Sequence, residues 1–132
     1  MTIRVPNEVR VYLRCSSTRQ ESSLATQLTW AIATAAERGI RLRATLEDLD
    51  HMKRHRLFKY KDLYVDDAVS GTRTKRPGFD AMLSDLKADP RISHLLVFKR
   101  DRFGRPRNAL HMVMVEDDLQ EEGIVIVTSE GI

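Results

Sequence analysis

The chain holds a single cysteine, Cys15, so no internal disulfide can form, which fits a protein of the reducing cytosol. No stretch approaches the roughly 18 consecutive apolar residues that read as a membrane span. Met1 to Glu8 contains no apolar core of a secretory signal. The Gly-x-Ser-x-Gly elbow of serine hydrolases is absent. A phosphate-cradling P-loop is absent too, because Gly71-Thr72-Arg73-Thr74-Lys75 lacks the second glycine before its lysine. No acidic cluster offers the oxygen ligands a divalent cation needs. His51 and His55 stand four apart, but no carboxylate-plus-histidine signature surrounds them, and no metal is expected.

What remains is a chain of 132 residues, enough for one domain with a real core. Hydrophobic residues make up 42% and charged residues 31%, as in ordinary soluble globular proteins. The net charge is only +3, so its distribution matters more than its total. Arg91, Lys99, Arg100, Arg102, Arg105 and Arg107 lie close together with one acid among them, Asp101. Arg73, Lys75 and Arg76 form a second cluster. Such clusters suit phosphate, although a solvated surface carries them as well.

Hydrophobic periodicity organises the chain. Val9, Val11, Leu13 and Cys15 alternate with Arg10, Tyr12, Arg14 and Ser16, which predicts a strand with a polar side. Leu24, Leu28, Ala31, Ile32 and Ala35 recur at helical spacing, with Ser22 or Ser23 as cap and Gly39 as stop. Gln27 sits on that apolar stripe. The segment from Ile40 to Asp62 predicts a short strand over Ile40 to Thr45 and an amphipathic helix around Leu46 to Phe58. Leu63 to Val69 predicts a second strand, and Pro77 opens a helix that Asp89-Pro90 ends. His94 to Phe98 reads as a central strand buried on both faces. Ala109 to Glu122 reads as a helix stopped by Gly123, and Ile124 to Thr128 as another buried strand. Strand and helix alternate, so the expected fold is an α/β domain: a mainly parallel central sheet with helices on both faces. Sites in such sheets gather at the carboxyl ends of strands, where Ser16 and the Lys99 to Arg105 segment both fall.

Three blocks of this sequence resemble a known family. Tyr12-Leu13-Arg14-Cys15-Ser16, with Gln20, Ser23-Leu24 and Gln27, is similar to the opening motif of the resolvase/invertase family of serine recombinases. Ser70-Gly71 and Arg76-Pro77-Gly78-Phe79 resemble its second block, and Lys99-Arg100-Asp101-Arg102-Phe103-Gly104-Arg105 its third. In order, the blocks span residues 9 to 129. Departures are Cys15 and Ser17, where the family usually has valine and threonine, Pro106 directly after Arg105, and a longer Ile40 to Asp62 segment whose basic end would contact DNA or another subunit.

The resemblance implies that residues 1 to 132 form the catalytic domain, with a long dimerisation helix and a separate DNA-binding domain lying beyond them. It implies DNA strand breakage and rejoining through a covalent 5′-phosphoserine, without nucleotide, metal or other cofactor. Double-stranded DNA is the implied partner, with homodimers pairing into tetramers on it, in the cytoplasm at the nucleoid. Ser16 is the implied nucleophile. Arg14, Arg76, Arg102 and Arg105 match the family's arginines, and Asp101 would orient them or take a proton. Tyr12, Gln20, Gln27 and Lys99 match supporting positions that place the serine or bond phosphate. The residue types suit this chemistry, since a guanidinium fork grips two oxygens of an anion and stabilises charge that develops in the transition state. No histidine lies near these blocks, so a Ser-His-Asp hydrolase is poorly supported. Two other readings are an inactive DNA-binding or assembly module with the same fold, and an unrelated domain that binds a small phosphate ligand.

Overall fold

The computed structural model describes residues 8–15, 23–67, 77–98 and 117–129. They form a five-stranded sheet between helices on its two faces. The strands are β1 (Glu8–Cys15), β2 (Lys59–Tyr60), β3 (Leu63–Asp67), β4 (Ile92–Val97) and β5 (Val125–Val127), in spatial order β2-β3-β1-β4-β5. β1, β3, β4 and β5 run parallel, and β2 pairs antiparallel with β3. The helices are α1 (Leu24–Arg38), α2 (Leu46–His55) and α3 (Pro77–Ala88), and residues 117–121 are helical as well.

Local chemistry sets the helix ends. Ser23 caps α1 by accepting the Thr26 N–H, and Gly39 closes it at φ 67°, a left-handed conformation that favours glycine. Thr45 and Asp48 form a reciprocal capping box at the start of α2, each side chain accepting the other's backbone N–H. Arg56 ends that helix at φ 53°.

The polar side of β1 is no solvent face. Val9, Val11 and Leu13 pack with α1 and α2 against Leu63, Val65 and Leu96. Tyr12, on the opposite face, packs with Tyr64, Phe79, Met82, Leu86 and Leu119. Both faces of the central strand are therefore covered, and Arg10 and Arg14 are buried with it. β4 is buried on both faces as expected. β5 is not, because it forms the sheet edge and leaves Val125 39% exposed. The strand expected over Ile40 to Thr45 is reduced to a single bridge between Glu8 and Arg41. The short β2 was not expected, and residues 68–69 and 109–116 lie outside the described residues.

The segment from Ile40 to Asp62 is a built part of the domain. Leu49 and Met52 of α2 enter the core. At its basic end, Lys59 pairs with Asp85 at 2.7 Å and Lys61 with Asp48 at 3.1 Å.

His94 of β4 bonds Ser93 Oγ through Nδ1 at 2.7 Å. Burial, reinforced by the Arg38 charge, holds its imidazole below the ordinary value of 6.5. A folded-state value below the unfolded one means the unfolded chain takes up the proton first as pH falls. Stability is then lost below about pH 6.5. The urea midpoint should therefore fall between about pH 7 and pH 5, and His94→Gln should flatten that fall. An unchanged pH profile in the variant would contradict this assignment.

Candidate active site at the carboxyl edge of the sheet

The strand order reverses between β1 and β4. From β1 the chain passes through α1 and α2 to β3 on one side; from β3 it passes through α3, on the other face, to β4 on the far side of β1. Open parallel sheets place ligands outside the carboxyl ends of the two strands that flank such a reversal. Here those strands end at Cys15, directly before Ser16 in sequence, and at Val97, two residues before Lys99.

Arg14 is held at this edge by a side chain of α1. Gln27 Oε1 accepts the Arg14 N–H at 3.3 Å, and Gln27 Nε2 donates to the Arg14 carbonyl at 2.9 Å. Val11 turns its N–H to Asp62 on the β3 side, so by alternation Arg14 turns towards β4. Pairing with β4 ends at Tyr12 opposite Val97, and the Gln27 amide supplies both bonds that β4 no longer offers. This explains a fully buried glutamine on an apolar stripe. The Arg14 side chain is buried too, yet its Nε has no hydrogen-bond partner among the described residues. A buried donor left unmade costs about 1–3 kcal/mol.

Asp66 ties the second block to the first. Tyr12 Oη donates to Asp66 Oδ2 at 2.7 Å. The Gly78 N–H donates to Oδ1 at 2.9 Å and the Phe79 N–H to Oδ2 at 3.0 Å. One carboxylate thus joins β1 and β3 to the first turn of α3, where negative charge also complements the helix dipole. The Tyr12 and Phe79 rings meet edge to face at 5.5 Å. Gly78 permits the close approach, since a Cβ there would lie 2.8 Å from the Val65 carbonyl oxygen. Pro77-Gly78-Phe79 is therefore a docking sequence, and it follows Arg76 directly.

The family model described as Resolvase, N terminal domain, matches residues 9–132. The chain belongs to the resolvase family. It is a catalytic domain of the serine recombinase type, of the kind that serves DNA recombination.

Of the residues singled out in the sequence of this resolvase domain, Tyr12, Arg14 and Gln27 are described. Arg14 and Gln27 are brought into contact, and Tyr12 is two residues away on the same strand face. Tyr12 and Gln27 are wholly buried, with their polar atoms on Asp66 and on the Arg14 backbone. Ser16, Gln20, Arg76, Lys99, Asp101, Arg102 and Arg105 lie outside the described residues. So does the expected approach of Ser16 to Arg102 and Arg105. Among the described residues no group of three or more His, Cys, Asp and Glu is placed to hold a metal. His51 and His55 instead stack with their ring centres 4.5 Å apart, beside Tyr60. No helix among the described residues is long and apolar enough to cross a membrane.

Sequence reasoning missed Asp66. The signal was a pair of acidic residues, Asp66-Asp67, continuing the apolar run Leu63-Tyr64-Val65 within one strand, a placement that demands partners where buried. Its partners were invisible because they are a tyrosine on another strand and two backbone N–H groups.

The Asp66 junction makes a graded prediction. Tyr12→Phe removes one donor and leaves the carboxylate two others, so it should cost about 1 kcal/mol. Asp66→Ala removes the acceptor shared by a buried hydroxyl and two N–H groups and should cost about 3 kcal/mol or more. Gly78→Ala should cost about 2 kcal/mol by pushing α3 from β3. Urea unfolding of the three variants checks the order, and equal losses for Tyr12→Phe and Asp66→Ala would refute it.

Proposed function

We propose that this domain cleaves and rejoins DNA through a covalent 5′-phosphoserine on Ser16. The single observation that carries the reading is the sheet reversal between β1 and β4: the proposed nucleophile follows one flanking strand and the Asp101-Arg102-Phe103-Gly104-Arg105 run follows the other. The second arginine block is joined in sequence to this arrangement, because Arg76 directly precedes Pro77, where the α3 turn docked on Asp66 begins. The Arg14 Nε, buried and without a partner among the described residues, suits a phosphate oxygen as its acceptor.

In this mechanism the Ser16 Oγ attacks phosphorus, forming an Oγ–P bond as the bond to the 3′ oxygen breaks. The serine proton leaves to a base, and the 3′ oxygen departs as a hydroxyl after gaining a proton. Arg14, Arg76, Arg102 and Arg105 stabilise the charge that builds on the phosphate oxygens. Asp101 orients guanidinium groups or carries a proton. Gln20 and Lys99 support the phosphate. Tyr12 and Gln27, given their burial, serve by holding the strand that ends beside the nucleophile. The phosphoserine keeps the energy of the broken bond, so attack by an exchanged 3′ hydroxyl reseals the DNA without nucleotide. Double-stranded DNA bound by homodimers that pair into tetramers is the matching assembly. Residues 1–132 by themselves should bind DNA weakly and with strong salt dependence, since phosphate contact supplies little sequence preference.

Cleavage assays in the protein as its gene encodes it test the reading. Ser16→Ala should abolish cleavage while DNA binding persists, and Ser17→Ala should remain active, because the motif match selects Ser16. Arg102→Ala and Arg105→Ala should each lose roughly 10²–10³-fold in rate. Cleavage that survives Ser16→Ala and disappears with Ser17→Ala would refute the assignment.

A further inference from the structure

Helix α1 does more than hold Arg14. Three residues after Gln27, and hence beside it on the helix surface, stands Trp30, the one tryptophan of the chain. Its ring meets that of Phe98 edge to face, centres 5.7 Å apart at 74°. Phe98 is the residue directly after β4 and directly before Lys99. The Phe98 carbonyl is fixed from the opposite side: it accepts the Ser129 N–H at 2.9 Å and the Ser129 hydroxyl at 2.5 Å. These bonds extend the β4–β5 ladder one step past its last strand pair, Leu96 opposite Val127. Phe98 is thus gripped at its ring by α1 and at its backbone by the chain after β5.

We infer that Trp30 is a positioning residue for the arginine segment that begins at Lys99. One helix face carries both grips. Gln27 sets the backbone of Arg14, two residues before Ser16, and Trp30 sets the aromatic residue from which Lys99 to Arg105 departs. The ends of β1 and β4, from which the nucleophile and the arginines follow in sequence, are thus both referred to the same turn of α1. Phosphoryl transfer depends on such alignment, and a misplacement of about 1 Å can cost on the order of 10²-fold in rate. This inference rests on the reading of Ser16, Arg102 and Arg105 as one site, and it assigns Trp30 no contact with substrate.

The experiment has one arm without DNA and one with it. In the first, trypsin cutting after Lys99, Arg100 and Arg102 is timed by peptide mass and compared with cutting after Arg38 and Arg41. Trp30→Ala should raise the first set relative to the second, Phe98→Leu should do the same from the other side, and Trp30→Phe should restore the native ratio. Trp30 emission should shift in Phe98→Leu, as the ring loses its neighbour. In the second arm, single-turnover cleavage at saturating DNA should slow by about tenfold to a hundredfold in Trp30→Ala and Phe98→Leu, with DNA affinity unchanged and Trp30→Phe close to native. Non-additive loss in the double variant would tie the two rings together. Unaltered trypsin ratios overturn the inference whatever the DNA arm shows, and so does a native cleavage rate in variants whose ratios have changed. A wild-type protein that cleaves no DNA defeats the proposed function, while the trypsin arm still decides whether Trp30 fixes the segment.

Discussion

A single buried carboxylate holds the two halves of this domain in register. Asp66 is 2% exposed and accepts from Tyr12 on β1 and from the Gly78 and Phe79 N–H groups at the head of α3. A carboxylate is costly to bury, and charge-assisted donors from three directions offset that cost. The same bonds decide where α3 begins relative to β1. Any displacement of that helix head would break several of them at once, so the first turn of α3 is held in a set position against β1 and β3.

The two edges of the sheet treat arginine differently. At the amino edge Asp62, 1% exposed, pairs with Arg10 at 3.2 Å and with Arg43 at 2.7 Å, while Glu8 adds a further contact to each. A cleft of about 480 Å³ lies there, lined in part by Arg10, Lys59, Lys61 and Arg91. Each of those cations has an acidic partner: Asp62, Asp85, Asp48 and Asp89 in turn. That cleft is a neutralised ion network. At the carboxyl edge, by contrast, the Arg14 Nε is buried without a partner among the described residues. Paired charge builds the fold at one edge, and a buried donor without a partner among the described residues stands at the other.

Much of this was legible in the sequence, for physical reasons. The alternation of apolar runs with amphipathic stretches marks β1, α1, α3 and β4 because burial of one stripe or both faces leaves a periodic trace. Ser23, Gly39 and Pro77 mark ends because capping and backbone geometry are local. The motif blocks identified the family. Other features were illegible for equally physical reasons. The alternation in Arg10-Val11-Tyr12 marks a strand, but nothing in it announces that α3 covers the polar side. The bonds of Gln27 were illegible because its partner is the backbone of another element, and backbone carries no sequence signature. β2 was missed because two residues give no period, and the junctions at Asp66 and Phe98 join residues far apart in the chain.

The central claim is that the strand leaving this sheet between β3 and β4 delivers Ser16 to a scissile phosphate. The most direct test is chemical: trap the protein on a nicked suicide DNA substrate, digest the adduct, and map the modified peptide by mass. The account predicts a 5′-phosphoryl nucleotide attached to Ser16. A nucleotide attached to Ser17 or to a tyrosine, or active cleavage with no covalent adduct, would contradict it.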